Sequence, residues 1–259
     1  MFIKIPKIHT FHGHLMTDPE FSKSQIKIIT WVERILAKLS EKLIVTGDRV
    51  ASDLLSLGIG EMKQYISIPG AVINTPMLLK SDARSRLEIG NTFVVLWLAR
   101  MAPVKQPRLF VEVARLCPDL TFVMCGDGTE LEAIRVGAPP NLKITGMVDP
   151  VDYLAAADVF ISTSANEGIP YSILEAQTAG LPVVAVASGA ISEIITDGVN
   201  GFLTTSSVEE IAERIGSLNK GETLRASFAA AARANSESLS LNPQLVQIHE
   251  QVYLDIIGK

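Results

Sequence analysis

Residues 157–186, ADVFISTSANEGIPYSILEAQTAGLPVVAV, constrain the fold of this chain more than any other stretch. They read as an apolar strand, a loop of small residues holding Glu167-Gly168, a helix carrying Glu175, and a second apolar strand. Val159-Phe160-Ile161 is too short and too uniformly apolar for a half-exposed strand, which places it inside a parallel sheet covered on both faces. Pro170 sits where a helix begins and Gly180 where it ends. The loop ahead of that helix presents free N–H groups and the positive end of the helix dipole, and Gly168 lets a ligand approach the main chain closely. That is an anion site. Glu167 and Glu175 would repel a phosphate unless they face hydroxyl groups, so the ligand suggested carries both sugar and phosphate, a nucleotide sugar. Taken alone, the stretch also fits any doubly wound protein with two solvated acids.

The rest of the chain repeats the pattern. Apolar strands are expected at residues 93–98, 120–125, 142–145, 159–161 and 183–186, with helical segments between them. Strands alternating with helices specify right-handed βαβ units and an open parallel sheet. Each strand is followed by polar or glycine-rich punctuation: residues 100–105, Gly126-Asp127-Gly128, Gly146, Glu167-Gly168 and Ser188-Gly189. In doubly wound sheets these strand ends line one crevice, so five separated loops are expected to meet at one site. Arg100 and Lys105 bring to it the positive charge that a diphosphate needs. Residues 200–203 enter a further short strand, and helices follow over 208–218 and 223–232. A polar break over 235–242 precedes a last helix, 243–257, expected to dock back onto the first domain.

Upstream, residues 2–11 read as a strand with an internal proline, running into the turn His12-Gly13-His14. A helix over 22–42, a strand over 43–45, a helix over 47–57 and a strand over 65–68 follow. His9, His12 and His14 have no carboxylate or thiol beside them and no helical pair spacing, so no metal site is expected. A histidine at a strand's C-terminal end is instead placed to meet a ligand. Residues 69–80, with Pro69, Gly70, Asn74 and Pro76, read as a linker. The expected division is a partial N-terminal Rossmann-like domain (1–75), a complete C-terminal doubly wound parallel-sheet domain (76–235) and a C-terminal helix (236–259).

Composition narrows the partners. The chain has 259 residues, 47% of them hydrophobic, enough for a buried core, and a net charge of −5 gives no electrostatic footprint for nucleic acid. Cys117 and Cys125 suggest neither a disulfide framework nor a metal site, which fits a reducing cytoplasm. No apolar run reaches the roughly 18 residues needed to span a bilayer. The excess of basic residues on the 22–42 helix fits a solvated face, or a peripheral contact with the inner membrane face.

With these residues assembled, the chain resembles the family 4 glycosyltransferases, retaining enzymes of the GT-B fold. The resemblance rests on E-G-I-P-Y-S-I-L-E at residues 167–175, which looks like an E-x7-E motif, followed in step by A-x-x-A-G-x-P-V-V. R-x4-K at Arg100 and Lys105, G-D-G at Gly126, Y-x-A-x-A-D at residues 153–158, D-G-x-x-G at 197–201 and H-T-F-H-G around His12 occur in the matching order. The resemblance implies that Arg100 and Lys105 hold the donor diphosphate and that Glu167 with the backbone at Gly168-Ile169 holds the donor sugar. It further implies that Glu175 binds the ribose, that Gly126, Gly146 and Met147 border the nucleotide, and that His12 meets the sugar near the reacting carbon. No D-x-D triplet is present, so no metal or other cofactor is expected. A UDP-sugar donor and a glycan or lipid-linked acceptor are the implied substrates. The resemblance also implies a hundred or so residues ahead of His12, so the N-terminal domain reads as shortened. The expectation is either a short gene product or a partner chain that supplies the rest, with a binding module lacking catalysis as the alternative.

Overall fold

The computed structural model describes residues 5–13, 15–16, 18–72, 77–239 and 243–258. The first unit is a three-stranded parallel sheet in the order β1 (Ile8–Phe11), β2 (Lys42–Val45), β3 (Tyr65–Ser67). Its crossovers are α1 (Lys23–Leu39) and α2 (Asp48–Ser56). Ser22 starts α1 through a capping box, its hydroxyl accepting from the Gln25 N–H while the Gln25 side chain accepts from the Ser22 N–H. The strand expected over 2–11 is shorter, because pairing with β2 begins only at Ile8, past Pro6, whose missing N–H cannot join a ladder. α1 likewise stops at Leu39 rather than 42, since Lys42 already pairs with Ile8.

After α3 (Lys80–Arg86) comes the second unit: β4 (Val94–Leu98), α4 (Pro107–Leu116), β5 (Thr121–Cys125), α5 (Leu131–Val136), β6 (Leu142–Gly146), α6 (Val151–Ala156) and β7 (Val159–Ser162). It continues through α7 (Tyr171–Thr178), β8 (Val183–Val186), β9 (Gly201–Thr204), α8 (Val208–Lys220) and α9 (Glu222–Ser238). The six strands are all parallel and run β6-β5-β4-β7-β8-β9. Side-chain alternation explains why its strands carry unbroken apolar runs. Leu96, Val123, Phe160 and Val183 enter the core on one face, and Val95, Trp97, Met124 and Ile161 the core on the other. The first of these cores continues without a break into the first unit through Phe11, Leu43, Val45 and Leu54.

The expected polar break at 235–242 starts later. Asn235 and Ser236 stay in α9 because they point inward: Asn235 donates to Gln177 Oε1 at 2.8 Å, and Ser236 is buried. α10 (Pro243–Ile257) then returns to the first sheet, where Val252 and Ile256 pack on Ile44 and Ile68. The expected boundary at 75/76 falls on residues 73–76, outside the described residues, as does His14. Just before it, the Val72 N–H donates to the Leu239 carbonyl at 3.4 Å, so the first unit's exit strand lies beside the end of α9.

Candidate active site

In the order β6-β5-β4-β7-β8-β9 the chain runs outward one way from β4 and then the other way from β7, so the loops leaving β4 and β7 part at the centre of the sheet. A crevice opens at such a reversal, outside the C-terminal strand ends. The loop after β4 carries Arg100 and Lys105; the loop after β7 carries Glu167 and Gly168. Hydrogen bonds lock the two together. The Ala165 N–H donates to the Val104 carbonyl at 2.8 Å, and the Thr163 hydroxyl donates to the Lys105 carbonyl at 2.7 Å. Thr163 is itself fully buried and fixed by the Trp97 indole N–H at 2.9 Å.

The result is a contact between the charges that these two loops carry. Lys105 Nζ donates to Glu167 Oε1 at 2.5 Å, with only 22% and 11% of the two side chains exposed. At such burial the pair is screened far less than a surface ion pair. A bound anion would therefore have to win Lys105 from Glu167, and a bound hydroxyl could hydrogen-bond the carboxylate in exchange.

The opposite wall comes from the first unit. A Cβ on Gly168 would run into the His12 carbonyl oxygen and stand 3.0 Å from the Thr46 hydroxyl, so only glycine permits this approach. His12 follows β1 and Thr46 follows β2; both line a cavity of about 350 Å³ closed by Tyr171 of α7 and His249 of α10. Thr46 is buried, and its hydroxyl has no partner among the described residues. Nothing in the sequence around Thr46 distinguishes it, because its significance comes from facing Gly168, more than 100 positions away.

The other expected site residues fall into three groups. Gly126 and Gly146 adjoin the crevice, the Gly126 N–H donating to the Gly146 carbonyl at 2.9 Å, and a Cβ on Gly126 would run into the Ala99 carbonyl oxygen. Ile169 turns its side chain into the core, so only its main chain remains for a ligand. Arg100, Met147 and Glu175 do not contact the Lys105–Glu167 pair. Arg100 is 60% exposed and reaches across to Glu20 of the first unit at 3.9 Å, while Met147 is open to solvent. Glu175 lies one turn beyond Tyr171 in a separate cavity of about 220 Å³, which adjoins the 350 Å³ cavity through Tyr171 and Ala71. Burial pushes the Glu175 carboxyl above its ordinary range, and among the described residues no side chain pairs with it.

Two other motif residues are structural. Asp158 sits at the opposite, N-terminal edge of the sheet, bound by Arg84 at 2.6 Å, Lys80 at 2.5 Å and the Val94 N–H at 2.7 Å. Asp197 accepts from the Leu203 N–H at 2.9 Å and shapes the turn into β9. His9 stacks on Phe11 at 4.3 Å and lies 3.7 Å from Glu33, away from the crevice.

Comparison with known proteins agrees with this architecture. The family described as glycosyl transferases group 1 matches residues 80–235, more than half of the chain. The chain belongs to that family. Among group 1 relatives, an Escherichia coli UDP-Gal:alpha-D-GlcNAc-diphosphoundecaprenol alpha-1,3-galactosyltransferase is 27% identical over 76% of this chain and 55% of its own length. The Arabidopsis thaliana sulfoquinovosyl transferase SQD2 is 25% identical over 97% of this chain and 52% of its own. The chain thus spans about half the length of these curated relatives. Anabaena Alr3699/HepE, solved with UDP and glucose, superposes with a TM-score of 0.84 at 24% identity, covering 98% of this chain and 72% of that one. A sucrose-phosphate synthase from Thermosynechococcus elongatus gives 0.86 at 18% identity, over 97% and 68%. The group 1 chain therefore has a GT-B-like fold, two parallel-sheet units facing one cleft. No helix among the described residues is long and apolar enough to cross a membrane.

Proposed function

We propose that this chain binds a UDP-sugar in the cleft between its two units and transfers the sugar, with retention, to a glycan or lipid-linked acceptor without a metal ion. The observation that carries the reading is the Lys105–Glu167 pair at the centre of the sheet, 2.5 Å apart, with the neighbouring Gly168 abutting His12 of the other unit. Glycosyl transfer builds negative charge on the departing diphosphate, and a cation fixed where that charge grows lowers the barrier. Lys105 has that position, and Arg100, being exposed, can swing to the outer phosphate. Freed from Lys105, Glu167 accepts from sugar hydroxyls together with the N–H groups at Gly168-Ile169. Glu175, half-buried and without a side-chain partner among the described residues, accepts from the ribose hydroxyls, Gly146 and Met147 border the base, and the glycine turn at Gly126 adjoins the donor. His12 stands across the cleft, beside the transferred sugar. The names of two relatives add to the donor reading: one carries UDP-Gal, and HepE was solved with UDP.

The test is a titration of UDP-glucose, UDP-N-acetylglucosamine, GDP-mannose and ADP-glucose by calorimetry, paired with assays of hydrolysis and transfer on the same protein. One UDP-sugar is expected to bind more tightly than the GDP- and ADP-sugars and to be turned over. Binding of none of the four would end this reading.

A second reading has its own observation. β1 pairs only with β2 among the described residues, and α1 leaves Ile28, Trp31 and Leu39 more than half exposed. A free strand edge beside an apolar helix face suits a module that binds the donor but turns it over only when a further segment or partner chain completes the first unit. The same face, with Lys27 and Lys38 along it, suits peripheral contact with the cytoplasmic membrane face. Donor binding without turnover would favour the module.

A further inference from the structure

We infer that Glu193 is a positioning residue that fastens the two walls of the cleft to each other. It belongs to the second unit, in the short turn Ile191–Glu193 after β8, yet both of its carboxylate oxygens are spent on the first unit. Oε2 accepts from the Asp48 N–H at 3.0 Å and Oε1 from the Arg49 N–H at 2.7 Å. Those are the first two N–H groups of α2, which have no intrahelical acceptor. The residue at the N-cap is Gly47, with no side chain to serve them. A helix that would otherwise begin uncapped thus receives its cap, and a charge matched to its dipole, from a residue 145 positions away.

Gly47 is fitted to this arrangement. Its φ of −163° suits any residue, so conformation does not demand glycine there. Space does: a Cβ would stand 2.6 Å from Glu193 Oε2.

Both ends of the contact are tied to the site. On one side the Glu193 N–H donates to the Ala190 carbonyl at 3.0 Å, and the Ala190 N–H donates to the Glu167 carbonyl at 3.1 Å. Glu193 is therefore two hydrogen bonds from the residue that grips Lys105. On the other side Asp48 follows Thr46-Gly47 just past β2, whose last residue Val45 pairs with Phe11, the residue before His12. The carboxylate thus holds the Glu167–Gly168 wall against the His12–Thr46 wall, beside which a donor sugar would sit. Its consequence for sugar binding rests on the function proposed above; the contact itself does not.

The test uses the full chain with Glu193→Ala, Glu193→Gln and Gly47→Ala. Glu193 is exposed, so its substitution leaves the cores intact. Amide hydrogen exchange at Asp48 and Arg49 is expected to be at least about tenfold faster in Glu193→Ala, and by a smaller factor in Glu193→Gln and Gly47→Ala, with β4 and β7 unchanged. UDP affinity is expected to stay within about twofold, because its contacts lie in the second unit, whereas the added affinity of UDP-glucose over UDP falls several-fold. Unchanged exchange at Asp48 and Arg49 in Glu193→Ala would overturn the contact. Equal loss of UDP and UDP-glucose affinity would overturn the positioning role. A chain that binds neither ligand would refute the proposed function, while the exchange result still decides whether Glu193 joins the two units.

Discussion

At the scale of single residues, Glu175 sets stability against the donor-binding role proposed for it. Burial holds its carboxyl above the ordinary range, with no side-chain partner among the described residues to offset the cost. A folded-state value raised above the unfolded one favours the protonated form, so the associated stability is complete below the unfolded value and is lost as pH rises through the folded one. Glu175→Gln should therefore melt at a higher temperature than the parent near about pH 8, with the difference closing near about pH 3, in thermal scans without nucleotide. Glu175→Ala should weaken UDP binding by about 1–3 kcal/mol in calorimetry, the loss of hydrogen bonds to a charged group. Equal UDP affinity in parent and variant would remove Glu175 from the site. Lys105 differs because, on the proposed function, its charge matters most when the diphosphate departs. Lys105→Ala should lower kcat by about a hundredfold or more while UDP-sugar affinity falls far less. Parallel losses in single-turnover rate and affinity would count against that role.

At the scale of elements, the two edges of the six-stranded sheet divide the motif residues between them. The C-terminal strand ends present the glycines, Lys105 and Glu167, whereas Asp158 at the start of β7 binds α3 through Arg84 and Lys80 and receives the β4 N–H of Val94. Asp158 and Arg84 are 12% and 14% exposed, so truncating one leaves the other charge poorly solvated. Asp158→Ala should cost about 3 kcal/mol in denaturant unfolding yet leave UDP affinity within about twofold. A loss of affinity comparable to that of Glu175→Ala would mean that this edge, too, communicates with the ligand.

For the molecule as a whole, the first unit depends on α10, which returns from the far end of the chain to cover Ile44 and Ile68 with Val252 and Ile256. Ile256→Ala should destabilise this packing by about 2–4 kcal/mol, seen as earlier loss of amide protection in α10 and β3 than in β4 and β7. Simultaneous loss across both sheets would instead mean that the shared core, which runs from Leu96 to Leu43, unfolds as one unit. Much of this architecture was legible in the letters. Apolar runs of four or five residues separated by helical stretches place the β4 to β9 strands within a residue or two, because burial on both faces writes itself into local composition. Glycine and proline mark the loops for the same local reason, and from the loops the crevice follows. Local pattern fails where a residue is held by something distant. Asn235 and Ser236 read as a break yet lie inside α9, because Gln177 and the core receive them. Sequence alone therefore determined which loops meet at a crevice and which charges they carry. Only the tertiary structure decided that Lys105 grips Glu167, that Arg100 faces Glu20, that Glu175 has a cavity of its own, and that Glu193 caps a helix of the other unit. The first depends on two loops meeting at the centre of one sheet and the others on how two separately wound sheets meet, and no periodicity within either sheet encodes those meetings.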